Sequence, residues 1–315
     1  MSDTWNGRRL DGCLFEATPG PAPRLDAAAA AAAGLPRHVD LRAHCSPVED
    51  QGQTNSCTAN AIVGALELHQ RKAGLPLTDM SRLFLFYNSR ALAKKEDQDV
   101  GSYIHHGMAA VLAFGVCEER MWPFETAMVT SRPTDGCYQN ATHYNAVQFA
   151  RTPRGESAMA ALAQGLPVAF GIFVPSECYQ EAGRTGTMPM PDTLPTVSPP
   201  SGHAMLIVGY DMDEKTYLVR NSWGAGFGDN GYCKIPFDVM DKYTPPDQCW
   251  TIGAIEQAPG LATFGPTVKE SVEHVTNQVQ GPSPLDQLRG SLRDDLNSRL
   301  DTARAGFRSR LRGGN

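Results

Sequence analysis

The pattern of apolar residues changes character once along this chain, and that change limits the folds open to it. Between Cys57 and Phe114 apolar side chains recur at helical spacing, whereas after Pro133 they gather into short β-rich runs broken by Gly and Pro. Asn55 and Ser56 can cap a helix that opens at Cys57, carries Ala59, Ile62, Val63 and Leu66, and stops at Gly74. A second helix is predicted over about 81–93 and a third over about 103–114, closed by Gly115. Strands are predicted over 146–150, 168–174, 204–210, 217–220, 232–235 and 250–255. Helices first and strands later imply an α+β protein whose two halves face each other across a cleft.

Composition divides the chain in three. Residues 1–36 are rich in Gly, Pro and Ala and read as an extended leader, residues 37–257 hold nearly all the strong apolar patterns, and residues 258–315 form a linker and a charged helical tail. In that tail Leu285, Leu288, Leu292, Leu296, Leu300, Ala303, Phe307 and Leu311 mark one stripe of an amphipathic helix over 285–311. Such a helix suits self-packing, association with a partner or a second copy, or an anionic membrane surface. The formal net charge of −6 argues against a chain built to coat nucleic acid. No apolar run reaches the ~18–20 residues of a membrane span, and the N-terminal residues lack the apolar core of a signal peptide, so a cytoplasmic location is expected. Eight cysteines at 13, 45, 57, 117, 137, 178, 233 and 249 contain no C-x-x-C pair, which points away from a structural metal site or a disulfide framework. No metal and no organic cofactor is called for.

A nucleophilic cysteine needs a low pKa, a base, and a group that holds the base in one tautomer. Cys57 opens a predicted helix, where unpaired N–H groups and the helix dipole stabilise a thiolate. Gln51 stands six residues upstream, where its amide, with the Cys57 backbone N–H, can bind a developing oxyanion. His203, at the mouth of an apolar strand, is the candidate base. Asn221, at the end of the next strand, can accept from the imidazole Nδ1–H, and Trp223 can shield that bond from water. Gly226–Gly231 matches G-x-G-x-x-G, but it leads into a strand rather than a helix, so a phosphate loop is rejected.

These residues resemble the papain family of cysteine peptidases over about 38–257. Val39-Asp40-Leu41-Arg42 resembles the start of a mature enzyme, and Cys117-Glu118-Glu119 through Trp122-Pro123-Phe124 resembles the family's interdomain stretch. Asn221-Ser222-Trp223-Gly224 followed by Gly228-Asp229-Asn230-Gly231-Tyr232 is similar to its most specific motif. Ser56-Cys57-Thr58-Ala59-Asn60-Ala61 looks closest in style to bacterial members. The resemblance implies a papain-like two-lobed fold, a helical lobe over about 37–130 and a β-rich lobe over 131–257. It also implies catalytic roles for Cys57, His203 and Asn221, with Gln51 in the oxyanion hole. Gly101 and Ser102 would pair with the backbone of a peptide or protein substrate, and Tyr103 and Ile104 would line the pocket for the second residue before the cleaved bond. Gly202 and Trp223 would also contact substrate.

The sequence departs from the family's "C-G-S-C-W" at Thr54, Asn55 and Thr58, and Ser102 replaces a glycine. Thr54 removes half of a disulfide common in secreted relatives, consistent with a reducing compartment. Asn55 replaces a glycine, and its side chain is positioned to narrow the pocket nearest the thiol. Two other functions share these residues: an acyl transferase or a peptidase for ubiquitin-like conjugates, and a non-catalytic module that binds in the cleft. The leader is shorter than family prosegments; part of residues 5–30 is expected to lie along the cleft and limit access, held at high effective concentration.

Overall fold

The computed structural model describes residues 4–15, 22–25, 34–192 and 201–255. The predicted tail helix over 285–311 lies outside these residues.

Three helices form one side of the molecule: α1 (Cys57–Lys72), α2 (Arg82–Ala91) and α3 (Ile104–Phe114). Fourteen of the sixteen α1 residues are buried, which is why its small and aliphatic side chains show no narrow stripe. This helix is the junction of the fold, packed against α2 and α3 on one side and the sheet on the other. Ser56 stands at its N-cap but makes no side-chain capping bond; that expectation is corrected, since the Ser56 hydroxyl is engaged by Thr54 and Asn60 instead. Ser81 caps α2, accepting from the Phe84 N–H at 3.1 Å.

The other side is an eight-stranded sheet built from β3 (Cys13–Leu14), β4 (His38–Asp40), β5 (Ala146–Arg151), β6 (Val168–Ile172), β7 (Ser201–Asp211), β8 (Thr216–Arg220), β9 (Tyr232–Pro236) and β10 (Cys249–Ile255). Its order is β5-β10-β6-β7-β8-β9, every pairing is antiparallel, and β3 and β4 both add to β7. A register shift between Ile207 and Gly209 opens β7 so that the Val208 carbonyl accepts from the Leu41 N–H at 2.8 Å. Gly209 is needed there, because any Cβ would strike the Val39 carbonyl of β4.

Four further helices escape the sequence pattern: α4 (Asp135–Ala141), α5 (Glu156–Ala163), α6 (Ser176–Thr185) and α7 (Phe237–Tyr243). The leader also holds more order than its composition suggests. Thr4–Trp5 (β1) and Arg8–Arg9 (β2) form a hairpin turned by Asn6 at φ 48° and Gly7 at φ 76°, the left-handed pair that an Asn-Gly turn favours. Further on, Leu25 N–H donates to the Arg151 carbonyl at 3.0 Å and Arg151 N–H to the Pro23 carbonyl at 2.7 Å, so residues 23–25 run beside β5. No helix among the described residues is long and apolar enough to cross a membrane.

Candidate active site

Cys57 sits fully buried at the first turn of α1, facing β7. On that strand His203 is equally buried, and its Nε2 lies 2.7 Å from the Asn221 Oδ1 at the end of β8. The contact therefore uses Nε2, not the Nδ1 expected from the sequence. Nδ1 has no partner among the described residues. Sequence cannot distinguish these choices, because they depend on the rotamer that β7 imposes on the ring. Asn221 Oδ1 also accepts from the Ser222 N–H at 2.8 Å, which fixes the amide plane. Trp223 stacks on His203 at 4.6 Å and 28°, covering the bond. Tyr179 of α6, which no sequence signal singles out, packs edge-on against His203 at 5.7 Å.

Gln51 reaches the site because residues 49–51 run beside residues 222–224: Gln51 N–H donates to the Ser222 carbonyl at 2.8 Å and Gly224 N–H to the Glu49 carbonyl at 2.9 Å. Its side chain is completely buried. Ser222 Oγ donates to Oε1 at 2.6 Å, and Nε2 donates to the Thr54 carbonyl at 2.8 Å, which leaves the second hydrogen of Nε2 for a ligand. Ser222 is thus a positioning residue for the amide, legible in the sequence only as part of the Asn-Ser-Trp motif.

Two departures from the family pattern explain each other. The hydroxyls of Thr58 and Ser102 meet at 2.5 Å beneath the 101–103 segment, so Ser102 turns its side chain inward and keeps its backbone free for pairing. Asn55 does not narrow the pocket: its N–H and Nδ2 donate to Asp99 Oδ1 and the Asp99 carbonyl, and the side chain is buried. Tyr103 is half-buried at the N-cap of α3, and Ile104 is fully buried in the core.

Leader residues run across this site. Ser102 N–H donates to the Gly12 carbonyl and Leu14 N–H to the Ser102 carbonyl, both at 3.0 Å, a parallel pairing. Cys13 and Leu14 add to β7 opposite Gly202 and Ser201. Phe15 seats its ring over Gly171 and Gly202, near Phe173. At Gly12 a Cβ would lie 2.8 Å from the Cys57 Sγ and 2.8 Å from the Asn55 carbonyl, so only glycine passes there. Trp5 stacks on Trp223 at 4.9 Å and 15°, and Arg8 pairs with Asp50 at 2.6 Å.

Covering the pair changes its chemistry. Burial pushes the Cys57 thiol up to about 12, against smaller downward pulls from the backbone N–H groups of Ala204, Thr58 and Cys57. Burial also pulls the His203 imidazole down to about 4, partly offset by the Asn221 contact. The depressed thiol expected from the helix start is therefore not found beneath the leader, where both groups are neutral. Among the described residues no cluster of three or more His, Cys, Asp and Glu could hold a metal ion.

Comparison with known proteins assigns the fold a family. The model of the papain family cysteine protease matches residues 35–259. An uncharacterized peptidase C1-like protein of Acanthamoeba polyphaga mimivirus is 33% identical over 69% of this chain and 72% of its own length. Cathepsin L of Sarcophaga peregrina is 30% identical over 64% of this chain and 59% of its own length. The crystal structure of xylellain, a cysteine protease from Xylella fastidiosa, superposes with a TM-score of 0.64 at 28% identity, covering 78% of this chain and 97% of that one. A family match across most of the chain, with Cys57, His203 and Asn221 gathered on α1, β7 and the end of β8, makes this chain a member of the papain family of cysteine peptidases.

Proposed function

We propose that the peptidase cleaves internal peptide bonds through Cys57 and that residues 4–15 hold it latent. The observation that carries the first part is the His203–Asn221 contact at 2.7 Å, which leaves the imidazole Nδ1 for the thiol. Once the cleft is open, the thiol proton passes to His203 and the sulfur attacks the substrate carbonyl carbon. The carbonyl π electrons move to oxygen, which the Cys57 N–H and the second Gln51 Nε2 hydrogen receive. His203 then gives its proton to the departing amine, leaving a thioester. Water, losing a proton to His203, attacks that thioester; the acid leaves and Cys57 is restored.

The leader's direction supports the second part. The carbonyl oxygens of Asp11 and Gly12 face Gly101 and Ser102, Cys13 pairs in parallel with Ser102, and the Gly12 Cα packs close to the Cys57 sulfur. A segment lying this way is a plug and not a substrate. Phe15, nearly buried beside Phe173, marks an apolar pocket that an open cleft offers to substrate. All eight cysteines are free thiols, which supports a reducing, cytoplasmic setting.

The test is hydrolysis of a fluorogenic peptide with an apolar second residue before the cleaved bond. Turnover lost in Cys57→Ala and in His203→Ala is expected. Turnover that survives Cys57→Ala overturns the assignment.

A further inference from the structure

Asn221 also lines a cavity of about 10 Å³, together with Glu49, Asn60, Ala204, Arg220 and Ser222 among others. Two of its walls carry an unpartnered polar atom. Asn221 commits its Oδ1 to His203 and Ser222, while its Nδ2 has no partner among the described residues. Asn60, one turn into α1, commits its Nδ2 to the carbonyl and hydroxyl of Ser56 at 2.9 and 3.0 Å, while its Oδ1 has none. Both side chains are more than nine-tenths buried, with Asn60 at 8% and Asn221 at 3% exposure. A buried amide donor and a buried carbonyl acceptor left unpaired each carry the full cost of desolvation, which a shared water would relieve. The volume matches the roughly 10–15 Å³ that one water needs.

We propose that this cavity holds one water, donated to by the Asn221 Nδ2 and donating to the Asn60 Oδ1, and that Asn60 is a positioning residue for Asn221. The proposal rests on the reading of Asn221 as the group that orients His203.

The bridge completes a ring. Asn60 Nδ2 donates to the Ser56 hydroxyl, which lies 2.8 Å from the Thr54 hydroxyl, and Thr54 donates to the Gln51 carbonyl at 2.8 Å. Gln51 Oε1 in turn accepts from Ser222, whose N–H donates to Asn221. With the water in place the donors from Asn221 to Gln51 all point one way, the arrangement in which hydrogen bonds strengthen one another. The amide that orients the base and the amide that receives the oxyanion then share one network through the start of α1. Thr54 contributes a link here that a disulfide cysteine would not.

The experiment is a double-mutant cycle on the full chain, with hydrolysis of the fluorogenic peptide normalised to enzyme titrated by an irreversible thiol reagent. Asn60→Ala is expected to lower kcat about three- to tenfold, the worth of one hydrogen bond, with KM held within about twofold. The alkaline limb of the kcat/KM profile should move to lower pH as His203 loses support. In an Asn221→Ala background the same change should alter kcat less than about twofold, since its effect passes through Asn221. Asn60→Leu, which keeps the Cγ branch of Asn but has no polar atom to hold a water, should behave like Asn60→Ala and serves if the alanine variant does not fold. A high-resolution crystal structure should show the water bridging the two side chains. Additive losses, an unmoved alkaline limb or a dry cavity overturn the proposal while the role of Asn221 stands. If Asn221→Ala itself leaves kcat unchanged, both readings fail.

Discussion

Substituting Gly12 by Val should switch this peptidase on. The Cβ of any other residue at position 12 lies 2.8 Å from the Cys57 sulfur and 2.8 Å from the Asn55 carbonyl, and the second of these is backbone that no rotamer change can move. Forcing such a group into a packed site costs about 1–3 kcal/mol. That cost falls on the closed state alone, because an open leader touches neither atom. With each 1.36 kcal/mol worth a factor of ten, the open fraction should rise about 5- to 150-fold. Two assays read it: the rate of hydrolysis of the fluorogenic peptide, and the rate at which Cys57 is carboxymethylated, followed by peptide mapping. Both should rise together, since opening removes steric cover and rehydrates the thiol, which then leaves its buried value of about 12. Gly12→Ala should give the same sign. A Gly12→Val chain that is folded by circular dichroism, yet unchanged in both rates, refutes latency through this contact.

Acid should also open the cleft. Under the leader His203 is held down at about 4, against an ordinary value near 6.5, so it stabilises the closed form fully above pH 6.5 and loses that contribution as pH falls toward 4. Acrylamide quenching of Trp5, with Trp5→Phe as the control, should therefore increase between pH 7 and pH 5. Ser222→Ala should cost kcat/KM about two- to tenfold by freeing the Gln51 amide, the worth of one hydrogen bond, and should leave the Cys57 carboxymethylation rate unchanged. Glu67, buried against Ser46 and the Met80 N–H, is pushed up to about 7. Its contribution to stability is present below pH 4.5 and lost as pH rises through 7, so Glu67→Gln should flatten the fall in thermal midpoint over that range.

The first three helices were readable because each carries a sustained apolar pattern, and α1 and α3 end at a glycine, Gly74 and Gly115. The strands were readable because buried β7 and β10 are runs of Ala, Ile, Leu, Val and Trp with no helical spacing. What escaped is short or relational. Helices α6 and α7 each follow a proline, Pro175 and Pro236, and carry an acid in the first turn, Glu177 and Asp238. A proline followed by an acid in the first turn is a helix-start signal present in the sequence. The same holds for Asn6-Gly7, the turn of the leader hairpin. Tyr179, by contrast, meets His203 only through the tertiary placement of α6. The inward turn of Ser102 was hidden because its partner Thr58 stands 44 residues away. The neutral Cys57 and His203 follow from cover that residue spacing does not encode.

The leader is attached through Trp5 and Arg8, in the cleft through Gly12–Leu14, and along β5 through Pro23–Leu25, ahead of strand β4 at His38–Asp40. A blocker moored in this way never diffuses off when it lifts. Its local concentration stays in the millimolar range or above, so closure is a first-order process indifferent to dilution. One cut between residues 16 and 21 would end that, since the stretch bearing Trp5 and Gly12 would then be a separate peptide competing at its bulk concentration. Latency would become dilution-dependent, and the cleaved and intact proteins could be told apart simply by assaying them across a hundredfold range of enzyme concentration, about two decades of the mass-action curve.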